Sequence, residues 1–305
     1  MAITAAMVSE LRAKTGCGMM DCKKALTATN GDFDAAIKFL REKGIAVAAK
    51  KADRIAAEGL VAIKTLGNET AMIEVNCETD FVAKNETFQA FVDELLCIIL
   101  RDKPADVDAL KACVFAEGTN VEAALKEKIF TIGENLSIRR FVIVEGTVST
   151  YIHGKGQAGV IVKFIADDAA ISNPGFAEVT KNVALQVASM NCLYAKKEDV
   201  PETAIAEEKE IIVAQIKNDP KNANKPEAII EKMVAGRIGK FYETNCLTEQ
   251  AYVKDDSMTV AQYVASMAKE FGGSIKIDSF VRYEKGEGLQ KREDNFAEEI
   301  ANMIK

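Results

Sequence analysis

The chain has 305 residues, of which 48% are hydrophobic and 28% are charged, and its formal net charge at pH 7 is −7. This composition is typical of a soluble protein with two or three domains, and the acidic balance disfavours a general nucleic-acid binder, which needs a basic face. No apolar run approaches the ~20 residues of a membrane span, and the first residues lack the apolar core of a signal peptide. We therefore expect a cytoplasmic protein.

Residues that carry enzymatic chemistry are few. The seven cysteines are scattered and form no C-x-x-C pair, which favours free thiols in a reducing compartment over zinc ligands. His153 is the single histidine, and the sequence contains neither a P-loop nor a G-x-G-x-x-G turn. The sequence therefore predicts a binding protein without a cofactor or metal rather than an enzyme.

The first fifty residues predict a small bundle of three helices. Apolar residues recur there at helical spacing in three stretches, and Gly16, Gly31 and Gly44 mark their ends. Met19 and Met20 lie in the second helix, where methionines usually fill a core. Two adjacent residues cannot both face one core, so we expect one of them at or near the surface. An Ala- and Lys-rich linker places a domain boundary near 52–56.

Strands and further helices follow. Two strand-like runs flank Gly67-Asn68, as in a β-hairpin, and Asn173 and Pro174 are suited to begin a helix. Two amphipathic stretches flank the loop sequence NDPKNANKP, which favours an antiparallel helical hairpin. Beyond the β-hairpin, the pattern predicts helices over 85–102, 173–191, 201–218, 226–243, 259–271 and 293–305, and strands over 137–146, 147–154, 157–166 and 274–284.

An internal duplication relates two stretches of the chain. Residues 58–80 align with 145–167 without a gap, and the identical pairs are Glu58/Glu145, Gly59/Gly146, Val61/Val148, Gly67/Gly154, Ala71/Ala158, Val75/Val162 and Asp80/Asp167. We therefore expect two related α+β halves, each with a hairpin and the turn after it. The pair Asp80 and Asp167 suggests an acidic cap after the strand, and Asp168 stands opposite Phe81.

Phe81 has two interpretations. Strand alternation from Ile73 through Cys77 places Phe81 on a core face, and a helical stripe through Phe88 and Ile99 includes it as well. On periodicity alone we expect a core residue. The duplication argues the other way, because a polar residue at the aligned position shows that the repeated scaffold does not require Phe81. A side chain that the fold does not require is available to a partner.

Several stretches resemble the bacterial elongation factor Ts family. They are LRAKTGCGMMDCKKAL (11–26), NGDFDAAI (30–37), EVNCETDFVAKNETF (74–88), IGENLSIRR (132–140), YIHG (151–154) and KGEGL (285–289). They extend from the first helix to the C-terminal segment, and the first and third are long and specific. Members of this family are guanine-nucleotide exchange factors for the translational GTPase elongation factor Tu.

The resemblance implies an α+β fold in four parts. The parts are a ubiquitin-associated-like helical domain with a linker (1–54), a core subdomain N (55–140), a core subdomain C (141–285) with a helical hairpin at about 198–243, and a C-terminal helical module (286–305). The chain departs from the family's pattern by extra residues near 112–122 and 217–225. Self-association or a two-to-two complex through the hairpin therefore stays an open alternative.

The resemblance also implies a binding site for the GTPase. In the family, a T-D-F-V motif enters elongation factor Tu and helps to dislodge its magnesium ion. The residues that the resemblance assigns to partner contact are Thr79, Asp80, Phe81 and Val82 in this motif, Met19 and Met20 in the N-terminal domain, His153 in the second subdomain and Phe296 in the C-terminal helix. The expected partner is elongation factor Tu, GDP-bound or nucleotide-free, without direct contact to nucleic acid or membrane.

Two other functions stay open from the residues alone. A ribosome- or RNA-associated binding protein agrees with the small helical module and the hairpin. The acidic balance and the lack of aromatic-basic stacking surfaces count against it. An enzyme that depends on Cys77 or His153 has no positive support in the sequence.

Overall fold

The computed structural model describes residues 2–222 and 225–290. Helices and strands are both abundant, and the fold is α+β, as predicted. The described residues divide into two compact units: unit 1 comprises 2–143, 154–158 and 283–290, and unit 2 comprises 144–153 and 159–282. None of the helices in the described ranges combines the length and the apolarity that crossing a membrane requires.

Three helices open unit 1: α1 (Ala5–Thr15), α2 (Met19–Ala28) and α3 (Phe33–Lys51). Gly16 ends α1 in the left-handed conformation, and the Asp32 carboxylate caps α3. The predicted stop at Gly44 is wrong, because α3 continues to Lys51. Gly44 is not among the glycines with positive φ, so it stays within the right-handed helix instead of ending it in the left-handed conformation that Gly16 adopts.

The rest of unit 1 is a three-stranded sheet covered by helices. Its elements are β1 (Glu58–Leu66), β2 (Glu69–Cys77), α4 (Asp80–Ala83), α5 (Glu86–Asp102), α6 (Val107–Ala112), β3 (Val114–Ala116), β4 (Thr119–Asn120), α7 (Val121–Ile132) and β5 (Leu136–Glu145). The sheet has the order β1-β2-β5, and the antiparallel β1-β2 hairpin turns at Gly67-Asn68 as predicted. Phe88, Leu95 and Ile99 of α5 are fully buried in the core that includes β2.

Unit 2 repeats this arrangement and adds helices. Its elements are β6 (Thr147–His153), β7 (Ala158–Ala166), α8 (Asp168–Ile171), α9 (Phe176–Ser189), α10 (Glu202–Asn218), α11 (Glu227–Asn245), β8 (Ala251–Tyr252), β9 (Asp255–Thr259), α12 (Val260–Glu270) and β10 (Ile275–Glu284). The sheet has the order β10-β7-β6. Helices α10 and α11 pack through Ile212, Ile216, Ile230, Val234 and Ile238, which form the seam of the predicted helical hairpin.

Asn173 does not cap α9, contrary to the prediction. Helix α9 begins at Phe176, three residues later. The Asn173 side-chain oxygen accepts the Gly175 N–H at 2.9 Å, so it stabilises the turn that precedes the helix. Local side-chain contacts of this kind compete with capping and shift the helix start.

The duplication is visible in the structure with an offset of one residue. Each central strand, β2 or β7, is followed by a four-residue helix, α4 or α8. Thr79 is the N-cap of α4 and Asp167 is the N-cap of α8. The predicted capping role of Asp80 is therefore wrong, because Asp80 is already the first helical residue. Counted from the caps, Ala169 is the equivalent of Phe81, and it is also exposed.

Candidate functional site

Phe81 is the second residue of α4, and 80% of its side chain is exposed. The prediction of a core residue from periodicity is wrong for a structural reason. Strand β2 ends at Cys77 and α4 begins at Asp80, so the strand alternation does not reach Phe81. The helical stripe is interrupted as well, because Asn85 caps a separate helix by accepting the Thr87 N–H at 2.8 Å.

The N-terminal turn of α4 is fixed by a carboxylate from another part of unit 1. One oxygen of Glu134 accepts the backbone N–H groups of Glu78 and Thr79, each at 3.0 Å. The other oxygen accepts the Thr79 hydroxyl at 2.6 Å. The Thr79 oxygen in turn accepts the Val82 N–H at 3.4 Å, so the hydroxyl is engaged inside the chain on both sides.

Glu78 and Asn135 form a second set of hydrogen bonds between the same two segments, with the carboxylate now on the β2 side. The Glu78 carboxylate accepts the Asn135 N–H at 2.6 Å. The Asn135 side-chain amide donates to the carbonyl oxygens of Ala52 at 3.3 Å and Arg54 at 2.8 Å, which lie just after α3. We call Glu78, Thr79, Glu134 and Asn135 the clasp. The clasp joins the end of β2, the start of β5 and the linker after α3.

Asp80 and Lys84 form an exposed ion pair at opposite ends of α4. Their charged atoms are 2.6 Å apart, four residues from each other along the chain. The hydrogen bond from Lys84 holds the pKa of the Asp80 carboxyl below its ordinary value. The Asp80 carboxylate, which precedes Phe81 in the chain, is therefore ionised at neutral pH and paired with Lys84.

The inner side of α4 rests on the core of unit 1. Val82 and Ala83 are half-buried and pack against the hydrophobic cluster beneath α5 and the sheet. No residue of α4 is fully buried. The helix thus lies on the surface, with Phe81 directed outward and Val82 and Ala83 directed inward.

The family model described as Elongation factor TS matches residues 78–287, more than half of the chain. The chain belongs to this family. Membership of the elongation factor Ts family implies a role in translation elongation, namely guanine-nucleotide exchange on elongation factor Tu, by binding rather than by covalent chemistry. The match begins at Glu78 and includes Thr79 to Val82 and His153, whereas Met19, Met20 and Phe296 lie outside it.

Met19 and Met20, which the elongation factor Ts resemblance assigns to partner contact, begin α2 in unit 1. Both side chains are exposed, by 55% and 61%. The inward face of α2 is formed by Cys22, Ala25 and Leu26, which are fully buried. Both methionines are therefore part of the exposed apolar surface, whereas the sequence predicted that one of them would be.

His153 ends β6 in unit 2 and is exposed. Its Nδ1 lies 3.3 Å from the Tyr151 hydroxyl, and their ring centroids are 6.1 Å apart. The residues GKGQ that follow form the turn into β7, which agrees with the predicted hairpin turn. Phe296, the fourth predicted contact region, lies outside the described residues.

Cys77 does not have the properties of a nucleophile. It is fully buried, and burial together with the nearby Glu134 charge raises the pKa of its thiol to about 12. The thiol lies 3.0 Å from the Thr79 carbonyl oxygen and donates to it. A protonated, buried thiol is unreactive. In the described part of the chain, no group of three or more His, Cys, Asp or Glu residues could hold a metal ion.

No local pattern in the sequence predicts the clasp. Glu134 lies more than fifty residues from Thr79, and no local pattern joins them. The one available signal was the stretch IGENLSIRR, which contributed to the family resemblance without any role for its glutamate or asparagine. Long-range contacts between a strand end and a loop have no periodicity, so only the folded chain reveals them.

Proposed function

We propose that this chain binds elongation factor Tu and uses Phe81 to open its nucleotide site, so that Mg²⁺ is dislodged, GDP leaves and GTP can bind. The observation that carries the proposal is the exposed Phe81 ring on a short helix whose first turn is fixed by the clasp. An exposed aromatic side chain in a fixed position is suited to enter a partner's pocket.

The physical mechanism is a difference in affinity. A GTPase holds GDP through backbone amides, a lysine and Mg²⁺ that bridges phosphate oxygens. Coupling is reciprocal, so a factor that weakens nucleotide binding is itself bound less tightly when nucleotide is present. Burying one Phe is worth about 1.5–3 kcal/mol, roughly tenfold to a hundredfold in affinity. Phe81 supplies this difference if its pocket exists only when the magnesium-site elements have moved.

Other residues share the remaining binding energy in this proposal. Asp80, the residue before Phe81, competes for the region of the partner that holds the cation. Thr79 and Val82 orient the motif from within the chain. Met19, Met20, His153 and Phe296 extend the contact over other parts of the GTPase.

The finer architecture belongs to the same proposal. Residues 1–54 act as a ubiquitin-associated-like domain, 55–140 and 141–285 as the two core subdomains, and 286–305 as the C-terminal module. The complex forms in the cytoplasm, one-to-one unless the hairpin of α10 and α11 pairs two copies. Support comes from the three N-terminal helices, the repeated sheets and the packed hairpin.

The proposal is tested by release of a fluorescent GDP analogue from elongation factor Tu in excess unlabelled GDP. We expect the wild-type chain to accelerate release strongly and Phe81→Ala to lose about tenfold to a hundredfold of that acceleration, as its buried area implies. Leu66→Ala is the matched control, because Leu66 is an exposed apolar residue of the same unit at the end of β1. We expect this control to behave as wild type.

Two results would contradict the proposal. Equal acceleration by wild type and by folded Phe81→Ala would remove Phe81 from the mechanism. No acceleration by the wild-type chain would remove the exchange function, and the ribosome- or RNA-associated binding protein would then become the leading interpretation.

A further inference from the structure

Few interactions within helix α4 hold its first turn in place. It has four residues, and none is fully buried. Isolated helical turns are unfavourable, because several backbone torsions are fixed for a single hydrogen bond. Its cap, Thr79, contributes one long hydrogen bond to Val82, at 3.4 Å. The position of Phe81 therefore depends on contacts from outside the helix.

Val82 and Ala83 supply apolar contacts to the core, and Glu134 supplies the polar contacts at the first turn. Its two carboxylate oxygens accept three hydrogen bonds, at 2.6–3.0 Å, from the two backbone N–H groups and the hydroxyl that precede Asp80. Hydrogen bonds to an ionised acceptor are stronger than those between neutral groups. Glu134 is itself held by the end of α7, where Gly133 adopts a left-handed conformation and donates to the Ile129 carbonyl.

The equivalent turn of unit 2 precedes α8, a helix without an aromatic residue, and offers a comparison. There, one residue caps the short helix and fixes the turn: Asp167 accepts the N–H of Ala170 at 3.0 Å and of Ser274 at 2.8 Å. Ser274 immediately precedes β10, just as Glu134 and Asn135 precede β5. In unit 1 the cap is Thr79, and the carboxylate is that of Glu134, which lies just before β5. The first unit thus uses more hydrogen bonds at this turn than the second.

We propose that Glu134 is a positioning residue for exchange, which fixes the first turn of α4 and thereby the direction of Phe81. This inference rests on the proposed function and deepens it. Glu134 itself contacts Glu78 and Thr79 of its own chain and acts on the partner through α4, chiefly through Phe81. Removing the carboxylate leaves the fold of unit 1 in place and lets α4 move.

The functional test is a double-mutant cycle on GDP release from elongation factor Tu. We expect Glu134→Ala to lower the acceleration about tenfold, because it removes charge-assisted hydrogen bonds. In a Phe81→Ala background the same change has an effect below about twofold. Glu134→Gln keeps an oxygen for the two N–H groups and restores most of the activity. Glu127→Ala, an exposed glutamate of α7, is the control and leaves the rate unchanged.

Amide hydrogen exchange of the free chain gives a readout that does not need the GTPase. We expect the amides of Glu78 and Thr79 to exchange about tenfold faster or more in Glu134→Ala, while the amide of Ile73 in β2 stays protected. Unchanged protection at Glu78 and Thr79, or full additivity of the two substitutions in the cycle, would overturn the inference. If the wild-type chain releases no GDP, the proposed function fails, and the amide exchange still decides whether Glu134 orders the turn.

Discussion

Glu74 is a fully buried carboxylate in the central strand β2. It accepts hydrogen bonds from Arg139 at 2.9 Å, Arg140 at 2.7 Å and the Gly286 N–H at 2.8 Å. Burial alone raises the pKa of Glu74, but these three donors outweigh burial and hold the pKa below its ordinary value. Because the donors lie on β5 and on the segment after β10, Glu74 joins separate parts of unit 1.

Replacing Glu74 tests this electrostatic contribution. We expect Glu74→Gln to lower the free energy of unfolding by about 2–3 kcal/mol at pH 7, since it removes the buried charge that both arginines pair with, and among the described residues only Arg140 keeps a second carboxylate, that of Glu287. Glu122→Gln, which breaks an exposed ion pair with Lys126, is the control and costs at most about 1 kcal/mol. Urea titrations followed by circular dichroism measure both.

The difference between wild type and Glu74→Gln depends on pH in a defined direction. The folded-state pKa of Glu74 is lowered, so its stabilisation is complete above the unfolded value of 4.5 and is lost as the pH falls through the folded value. We expect a constant difference from pH 7 to about pH 5 and a smaller one at more acidic pH. A difference that is unchanged at the acid end would contradict the assignment.

The exposure of Phe81 and the burial of Glu74 do not follow from the apolar periodicity of the sequence. The exposure of Phe81 could not be read from periodicity, because the alternation continues in the sequence past Cys77 although the strand ends there. The duplication gave the better signal, since Asp168, which aligns with Phe81 in sequence, and Ala169, its equivalent counted from the caps, are both exposed. The burial of Glu74 between two arginines had no sequence signal, because its partners lie on other elements.

Among the secondary-structure elements, the two hairpins begin with the same Glu-Gly pair, but the two glycines differ in how closely other atoms approach them. Gly59 and Gly146 both have positive φ, 130° and 107°. A Cβ at Gly59 would lie 2.1 Å from the Val75 carbonyl oxygen, whereas the nearest atom to a Cβ at Gly146 is the Lys163 Cε at 3.5 Å. Only Gly59 is also required for the close approach of its neighbouring strand.

This contrast predicts unequal effects of one substitution at equivalent positions. We expect Gly59→Ala and Gly146→Ala each to cost about 1–3 kcal/mol for the backbone conformation. Gly59→Ala additionally displaces β2, so its thermal midpoint falls further. Thermal unfolding by circular dichroism compares the two variants, and equal midpoints would refute the role of the close approach.

Elements with strong local signals were predicted well. The β1-β2 hairpin, α5 and α12 follow from turn residues and apolar periodicity, and the paired helices α10 and α11 follow from the polar loop between them. Helix ends were predicted less well. Gly44 has the chemistry of a helix stop, but without a positive φ it stays inside α3. Asn173 has the chemistry of a cap, but its side chain stabilises the turn before α9 instead.

At the scale of the whole molecule, the family match extends over residues of both units, from Glu78 to Glu287. The predicted contact residues are likewise distributed: Phe81 and the two methionines belong to unit 1, and His153 belongs to unit 2. Nucleotide exchange by such a chain requires that its total contact with the GTPase be stronger when GDP is absent.

The most direct test of the central claim is the affinity of this chain for elongation factor Tu with and without GDP, measured by calorimetry for wild type and Phe81→Ala. We expect tighter binding of wild type to the nucleotide-free GTPase, and a loss of about tenfold to a hundredfold of that preference in Phe81→Ala. Binding to the GDP form should change little. Equal affinity of the wild-type chain for both forms would contradict exchange by this chain, and an undiminished preference in Phe81→Ala would contradict the role of Phe81.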